Sequence, residues 1–201
     1  MRQVSRHYDG GMARWRPDAR QRLVVAALDL FTEQGYDNTT VAEIAERAGL
    51  TRSTFFRHFP DKRDVLAAGQ DTLSRLLVEG IAVAPAGATP LAAVESGLAN
   101  AAQTFTAFNR ELAPRLGAAI AASTELQERD TLKQVGLAAA MTEALRARGV
   151  PDPAAGLAAE LGVLAFKTAF ARWSAPGNEE ELAELAGAAL HELHTATTQL
   201  R

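Results

Sequence analysis

The chain has 201 residues, enough for one domain with a sizeable core or a small domain beside a larger one, and 47% are hydrophobic against 22% charged, which excludes wholesale disorder. It contains no cysteine, and this excludes disulfides, thiolate nucleophiles and cysteine-ligated metals. The formal net charge of −3 hides an asymmetry: residues 1–66 sum to +2 and residues 67–201 to −5, so an acidic body carries a mildly basic end suited to one localised phosphate contact.

Apolar runs such as Leu116 to Ala122 are far below the roughly 18 residues of a bilayer span, so no membrane contact is expected. Residues 1–16 hold Arg2, Arg6, Arg14 and Arg16 without an apolar core, unlike a secretory signal, and a cytoplasmic location is expected. Two readings of this basic arm stay open, a disordered tail and an arm for the minor groove. Beyond it, helix formers fill the periodic segments and no period-2 run calls for a strand. The first helix is expected to start at Pro17, to bury Leu23, Ala27, Leu30 and Phe31, and to end at Gly35. Thr40 with Glu43 three positions on has the pattern of a capping box, opening a short helix that buries Val41, Ile44, Ala45 and Ala48. Gly49 stops it, Thr51 caps the next, and Phe55 and Phe59 lie four apart on the face that returns to the core before Pro60.

Asp61 is the expected cap of a fourth helix carrying Val65, Leu66, Leu73, Leu76 and Leu77 up to Pro85. The spacing predicts a fifth helix from Leu91 through Leu98 to Phe105 and Phe108, an interruption at Pro114, a short sixth helix over residues 115–122 and a seventh over 125–148. Asp152-Pro153 reads as a cap followed by a first-turn proline, opening an eighth helix with Leu157, Leu161, Leu164, Phe166, Phe170 and Trp173. Asn178 and Glu179 to Glu181 are expected to open a ninth, with the stripe Leu182, Leu185, Ala189, Leu190 and Leu193.

Two short helices joined by a tight turn across residues 40–59 make a helix-turn-helix candidate. If the second buries Phe55 and Phe59, it turns Arg52, Ser53, Thr54, Arg57 and His58 outward, a set able to pair with guanine edges and phosphate oxygens, and Lys62 adds a further cation. The plain alternative is a helical hairpin with a solvated charged face. The residue order from Thr39 to Lys62, TTVAEIAERAGLTRSTFFRHFPDK, resembles the DNA-binding domain of the TetR family of bacterial transcriptional regulators, and the likeness runs from about Arg16 to Leu66. That family's pattern has a tyrosine where this chain has Phe56, so one phosphate-bonding hydroxyl is absent.

The resemblance implies an all-α fold of about nine helices: a basic arm over 1–16, a helix-turn-helix domain over 17–66, and a ligand-binding and dimerisation domain over 67–201. It implies a homodimer through helices eight and nine, a double-stranded palindromic operator, a small effector, and Thr40, Arg52, Ser53, Thr54, Phe56, Arg57, His58 and Lys62 as the DNA-facing set. Phe105, Phe108, Met141, Phe166, Phe170 and Trp173 are candidate linings of an apolar ligand pocket, although aromatics at helical spacing are more often ordinary core. The stretch from Leu116 to Gly149 is similar to the C-terminal domains of members that sense acyl-CoA-like ligands, which would place Arg110, Arg129 or Lys133 near phosphates at the rim. His191 and His194, three apart, do not fit the four-residue spacing of zinc proteases, and no catalytic, metal or cofactor motif is found. The competing class is an all-helical carrier or enzyme whose N-terminal hairpin is only structural.

Overall fold

The computed structural model describes residues 18–66 and 69–200. These residues form nine α-helices and one 3-10 turn, with no strand among them: α1 Ala19–Gln34, α2 Val41–Arg47, α3 Arg52–His58, the turn Lys62–Val65, α4 Gln70–Ala82, α5 Pro90–Ala102, α6 Ala107–Ala121, α7 Thr124–Ala147, α8 Ala154–Trp173 and α9 Leu182–Gln199. Local signals set most of the boundaries. Asp18 caps α1 by accepting from the Gln21 N–H at 2.7 Å, and Gly35 at φ 87° ends it. The expected start at Pro17 lies outside the described residues, as does the 1–16 arm.

Five boundaries differ from the sequence reading. Asp61 caps only the 3-10 turn, and α4 starts afresh at Gln70 after Gly69, whose φ of 88° breaks the path. The fifth helix stops at Ala102, so Phe105 sits in a connection and Phe108 belongs to α6. The restart is local: Asn109 Oδ1 accepts from the Thr106 N–H at 2.9 Å and from its hydroxyl at 3.0 Å. Pro114 lies inside α6 instead of interrupting it. Its missing N–H and ring cost the helix one bond, offset by burial of Leu112 and Ala119 against α1 and by Arg115 donating to Asp29 at 2.9 Å. Pro153, not Asp152, is the N-cap of α8, because the Asp152 carboxylate is taken by Arg146 at 2.6 Å. Glu181 is the N-cap of α9, so Glu179 and Glu180 precede the helix and do not fill its first turn.

Two apolar clusters organise the molecule. The larger gathers α4, α5, α7, α8 and α9 around Ile81, Val94, Leu98, Met141 and Leu145. Small residues permit its tightest crossing, since a Cβ at Gly80 would sit 2.6 Å from the Ser96 carbonyl oxygen and one at Gly97 would sit 2.8 Å from that of Leu77. The smaller cluster gathers α1 to α3 around Leu23, Phe31, Ile44, Phe55 and Phe59, and Leu112, Ala119 and Leu126 of α6 and α7 complete it. The head therefore packs on the body. By length and composition α8 is apolar enough to cross a bilayer, at mean hydropathy 1.4, yet it packs against α5, α7 and α9 and buries Ala158, Ala159, Ala165 and Ala169.

Candidate nucleic-acid interface

The α2–turn–α3 unit rests on cooperating caps. The Thr40 hydroxyl accepts from the Glu43 N–H at 3.2 Å, and Glu43 Oε2 accepts from the Thr40 N–H at 2.8 Å and from its hydroxyl at 2.7 Å. Bonds from the Thr40 side chain and then its backbone hold the Glu43 carboxyl below the usual carboxylate range. Gly49 makes the turn at φ 64°, a left-handed conformation natural to glycine. Arg22 of α1 reaches across and donates to the carbonyls of Ala48 and Gly49, fixing the turn on the first helix. Sequence reasoning missed Arg22, which carries no motif and is recognisable only once α1 and the turn lie side by side.

α3 has two faces. Phe55 and Phe59 are 0% and 2% exposed, with ring centroids 5.6 Å apart. Opposite them, Arg52 and Phe56, and Ser53 and Arg57, make two i,i+4 pairs that stand in solvent, Phe56 half exposed at 50%. Thr54 is partly buried: its hydroxyl pairs with that of Thr51 at 3.0 Å and accepts from Arg57 Nη2 at 3.0 Å. His58 is exposed beyond this stripe.

Thr40 and Lys62, also expected to face DNA, are likewise engaged within the chain. The Thr40 hydroxyl proton lies on Glu43. Lys62 is partly buried; its Nζ donates to the carbonyls of Tyr36 at 2.7 Å and Thr39 at 3.0 Å and sits 4.1 Å from the centre of the Tyr36 ring. It closes the loop before α2 as a structural clamp, an engagement its place beside the reading helix did not reveal. Residues 40 to 58 thus present one outward stripe on one short, firmly capped helix, with a chemistry of guanidinium, hydroxyl and ring edge suited to a groove floor and its phosphate walls.

Residues 23–68 match the family described as bacterial regulatory proteins, tetR family. The transcriptional regulator TcmR of Streptomyces glaucescens is 40% identical over 75 residues, 37% of this chain and 33% of that protein. The TetR family likeness is thus shown for residues 23–68 of this chain. The alignment to TcmR spans about a third of that relative, so the TetR likeness in sequence is concentrated in the head. Among solved structures, the TetR family repressor FadR of Thermus thermophilus, in complex with lauroyl-CoA, is 26% identical at a TM-score of 0.51, covering 87% of this chain and 93% of its own. The SmeT–triclosan complex, at 20% identity, shares the fold at a TM-score of 0.56 over 90% of this chain and 91% of its own. The all-helical architecture with an N-terminal helix-turn-helix is therefore that of the TetR family.

The six candidate lining residues do not form one group. Phe105, Phe166, Phe170 and Trp173 make an aromatic cluster with centroids 5.5 to 6.1 Å apart, and Arg110 lies 4.7 Å from the centre of the Trp173 ring. Met141 is 1% exposed and fills the core where Gly162 lets it approach. Phe108 packs instead on the head cluster, because the break before Thr106 moves it onto α6. The stripe Leu182, Leu185, Ala189 and Leu190 of α9 turns inward onto the chain's own core, with Leu193 packed against it. Among the described residues no group of three or more His, Asp or Glu side chains is placed to hold a metal ion.

Proposed function

We propose that this chain is a ligand-responsive, DNA-binding transcriptional regulator: a homodimeric cytoplasmic repressor, without enzymatic activity, released from a palindromic operator by a small, mostly apolar effector. The observation that carries the reading is the two-faced α3, with Phe55 and Phe59 buried and Arg52, Ser53, Phe56 and Arg57 outward. Arg52 and Arg57 are assigned to base edges and nearby phosphates, Ser53, Thr54 and His58 to the groove wall, and Phe56 to an apolar contact such as a thymine methyl. Thr40 and Lys62 act mainly by holding the frame, and reach the backbone only with the hydrogen-bonding capacity left to them.

Dimerisation is assigned to α8 and α9. Leu157 and Leu164, seven apart on α8, are 58% and 46% exposed and supply an unpartnered apolar stripe. With the α9 leucines turned inward, the outer face of α9 contributes its small and polar residues. The effector region is placed at the cluster of Phe105, Phe166, Phe170 and Trp173, which must open to admit a ligand. The lauroyl-CoA of the Thermus repressor makes an acyl-CoA-like effector the leading class to try. An effector shifts the heads only if it binds one arrangement better than the other.

The test is selection of bound fragments from the host's own DNA, followed by mobility shifts against salt. A regulator yields a shared palindrome and loses affinity steeply as salt rises. Recovery of fragments with no common sequence overturns the reading.

A further inference from the structure

Arg57 is directed without being neutralised. Its Nη2 donates to the Thr54 hydroxyl at 3.0 Å, three residues back along α3, so the guanidinium folds toward the first turn, where Arg52 and Ser53 stand in solvent. Thr54 is itself held: its hydroxyl pairs with that of Thr51 at 3.0 Å, and its N–H donates to the same Thr51 oxygen at 3.2 Å. A hydroxyl offers one proton and two lone pairs, so two of the three places on Thr54 are filled within the chain. Thr51, at the N-cap, lies outside the DNA-facing set expected from the sequence.

The chemistry of the partner decides what Arg57 keeps. Arg47, on α2, is gripped at both Nη atoms by the Glu33 carboxylate, at 2.9 and 2.7 Å, and its charge is cancelled there. Arg57 is in no ion pair among the described residues. A neutral hydroxyl fixes a direction and leaves the positive charge whole. One Nη2 hydrogen is spent on Thr54, and whichever of the two it is, one edge of the guanidinium keeps two parallel donors, the fork that fits O6 and N7 of guanine. Ordering a long side chain before contact also removes the cost of ordering it on contact.

We propose that Thr54 is a positioning residue for base reading: backed by Thr51, its hydroxyl aims the Arg57 guanidinium at one guanine of the operator and so governs sequence choice through Arg57. The proposal rests on the DNA-binding reading and deepens it, naming the base and the group that sets it. A threonine touching DNA on its own account would contribute independently of Arg57. One that acts through Arg57 contributes nothing once the guanidinium is gone.

The experiment is a double-mutant cycle on the full chain, with wild type, Thr54→Val, Arg57→Ala and the double variant, and with Thr54→Ser as the replacement that keeps a hydroxyl. The cap survives in all of them, because Thr51 accepts from the backbone N–H of residue 54. Each protein is titrated by mobility shift against the operator selected by the wild type, with every base pair varied in turn. Thr54→Val is expected to lose about tenfold in preference for guanine at one base pair, the same pair that Arg57→Ala affects. Thr54→Ser restores the preference, and the double variant loses no more than Arg57→Ala alone. Losses that add in the double variant, losses at different base pairs, or an unchanged preference in Thr54→Val overturn the proposal and leave the DNA-binding reading intact. A wild type that selects no sequence overturns both.

Discussion

Arg52 stands free in solvent at the first turn of α3, where a recognition helix puts side chains against base edges. Arg52→Ala is expected to cost about 1–3 kcal/mol of discrimination at one operator position, visible as a flattened preference when each base pair is varied in mobility shifts. Lys62→Ala is different, because two carbonyls lose their donor. It is expected to lower the unfolding temperature as well as weaken DNA binding, whereas a lysine serving only phosphate would leave stability unchanged. At Gly49 a side chain would need φ near +64° and would meet Arg22 Nη2 at 2.9 Å. Gly49→Ala should therefore destabilise by roughly 1–2 kcal/mol, measured by urea denaturation. Lys133 gives a pH signature. Its folded pKa lies below the unfolded value, so its burial penalty is full below the folded pKa and fades as pH rises through it. The stability gain of Lys133→Met should accordingly shrink toward high pH, and a gain independent of pH would contradict that origin.

At the scale of elements, α4 and α5 touch backbone to backbone at Gly80 and Gly97, so the crossing has no room for a methyl group. Gly80→Ala should force the helices apart and cost about 1–3 kcal/mol, read from denaturant midpoints, with α3 retaining its contacts. The head was the legible part of this chain because its signals are local. Thr40 with Glu43, the glycine turn and the four-residue spacing of Phe55 and Phe59 each act within one or two helical turns. The rest was less legible where partners lie far away in sequence. Pro114 looked like a break because its compensation comes from Asp29, 85 positions earlier by number; the true break depends on Thr106 and Asn109, a weaker capping pair than Thr40 and Glu43. The leucine stripe of α9 suited a partner helix equally well, and only the packing of α5 and α8 shows that it is spent inside the chain.

For the whole molecule, the exposed leucines of α8 carry the quaternary expectation. Leu157→Glu together with Leu164→Glu should convert the dimer to a monomer in sedimentation velocity while leaving the helical signal intact, and an unchanged sedimentation coefficient would place the interface elsewhere. The head is tied to the body by more than the chain that joins them. Asp29 meets Arg115 at 2.9 Å, the Tyr36 hydroxyl donates to Glu125 at 3.0 Å, and Asp64 meets Arg129 at 2.6 Å. Burial and the Glu125 carboxylate push the Tyr36 phenol well above its usual pKa, so it remains a donor throughout the ordinary pH range. Each partly exposed ion pair is worth only about 0–1 kcal/mol, so their value lies in alignment more than in stability.

Three moorings spread over α1, the loop before α2 and the turn after α3 leave the head little freedom to swivel on its own. Under the proposed function, a strain arising in α6 or α7 would reach the operator as a change of posture in the entire reading unit, without any residue of the outward stripe being disturbed. On the same proposed reading, the face of α3 that reads and the aromatic cluster that responds lie on separate surfaces, so either could be altered while the other keeps its meaning.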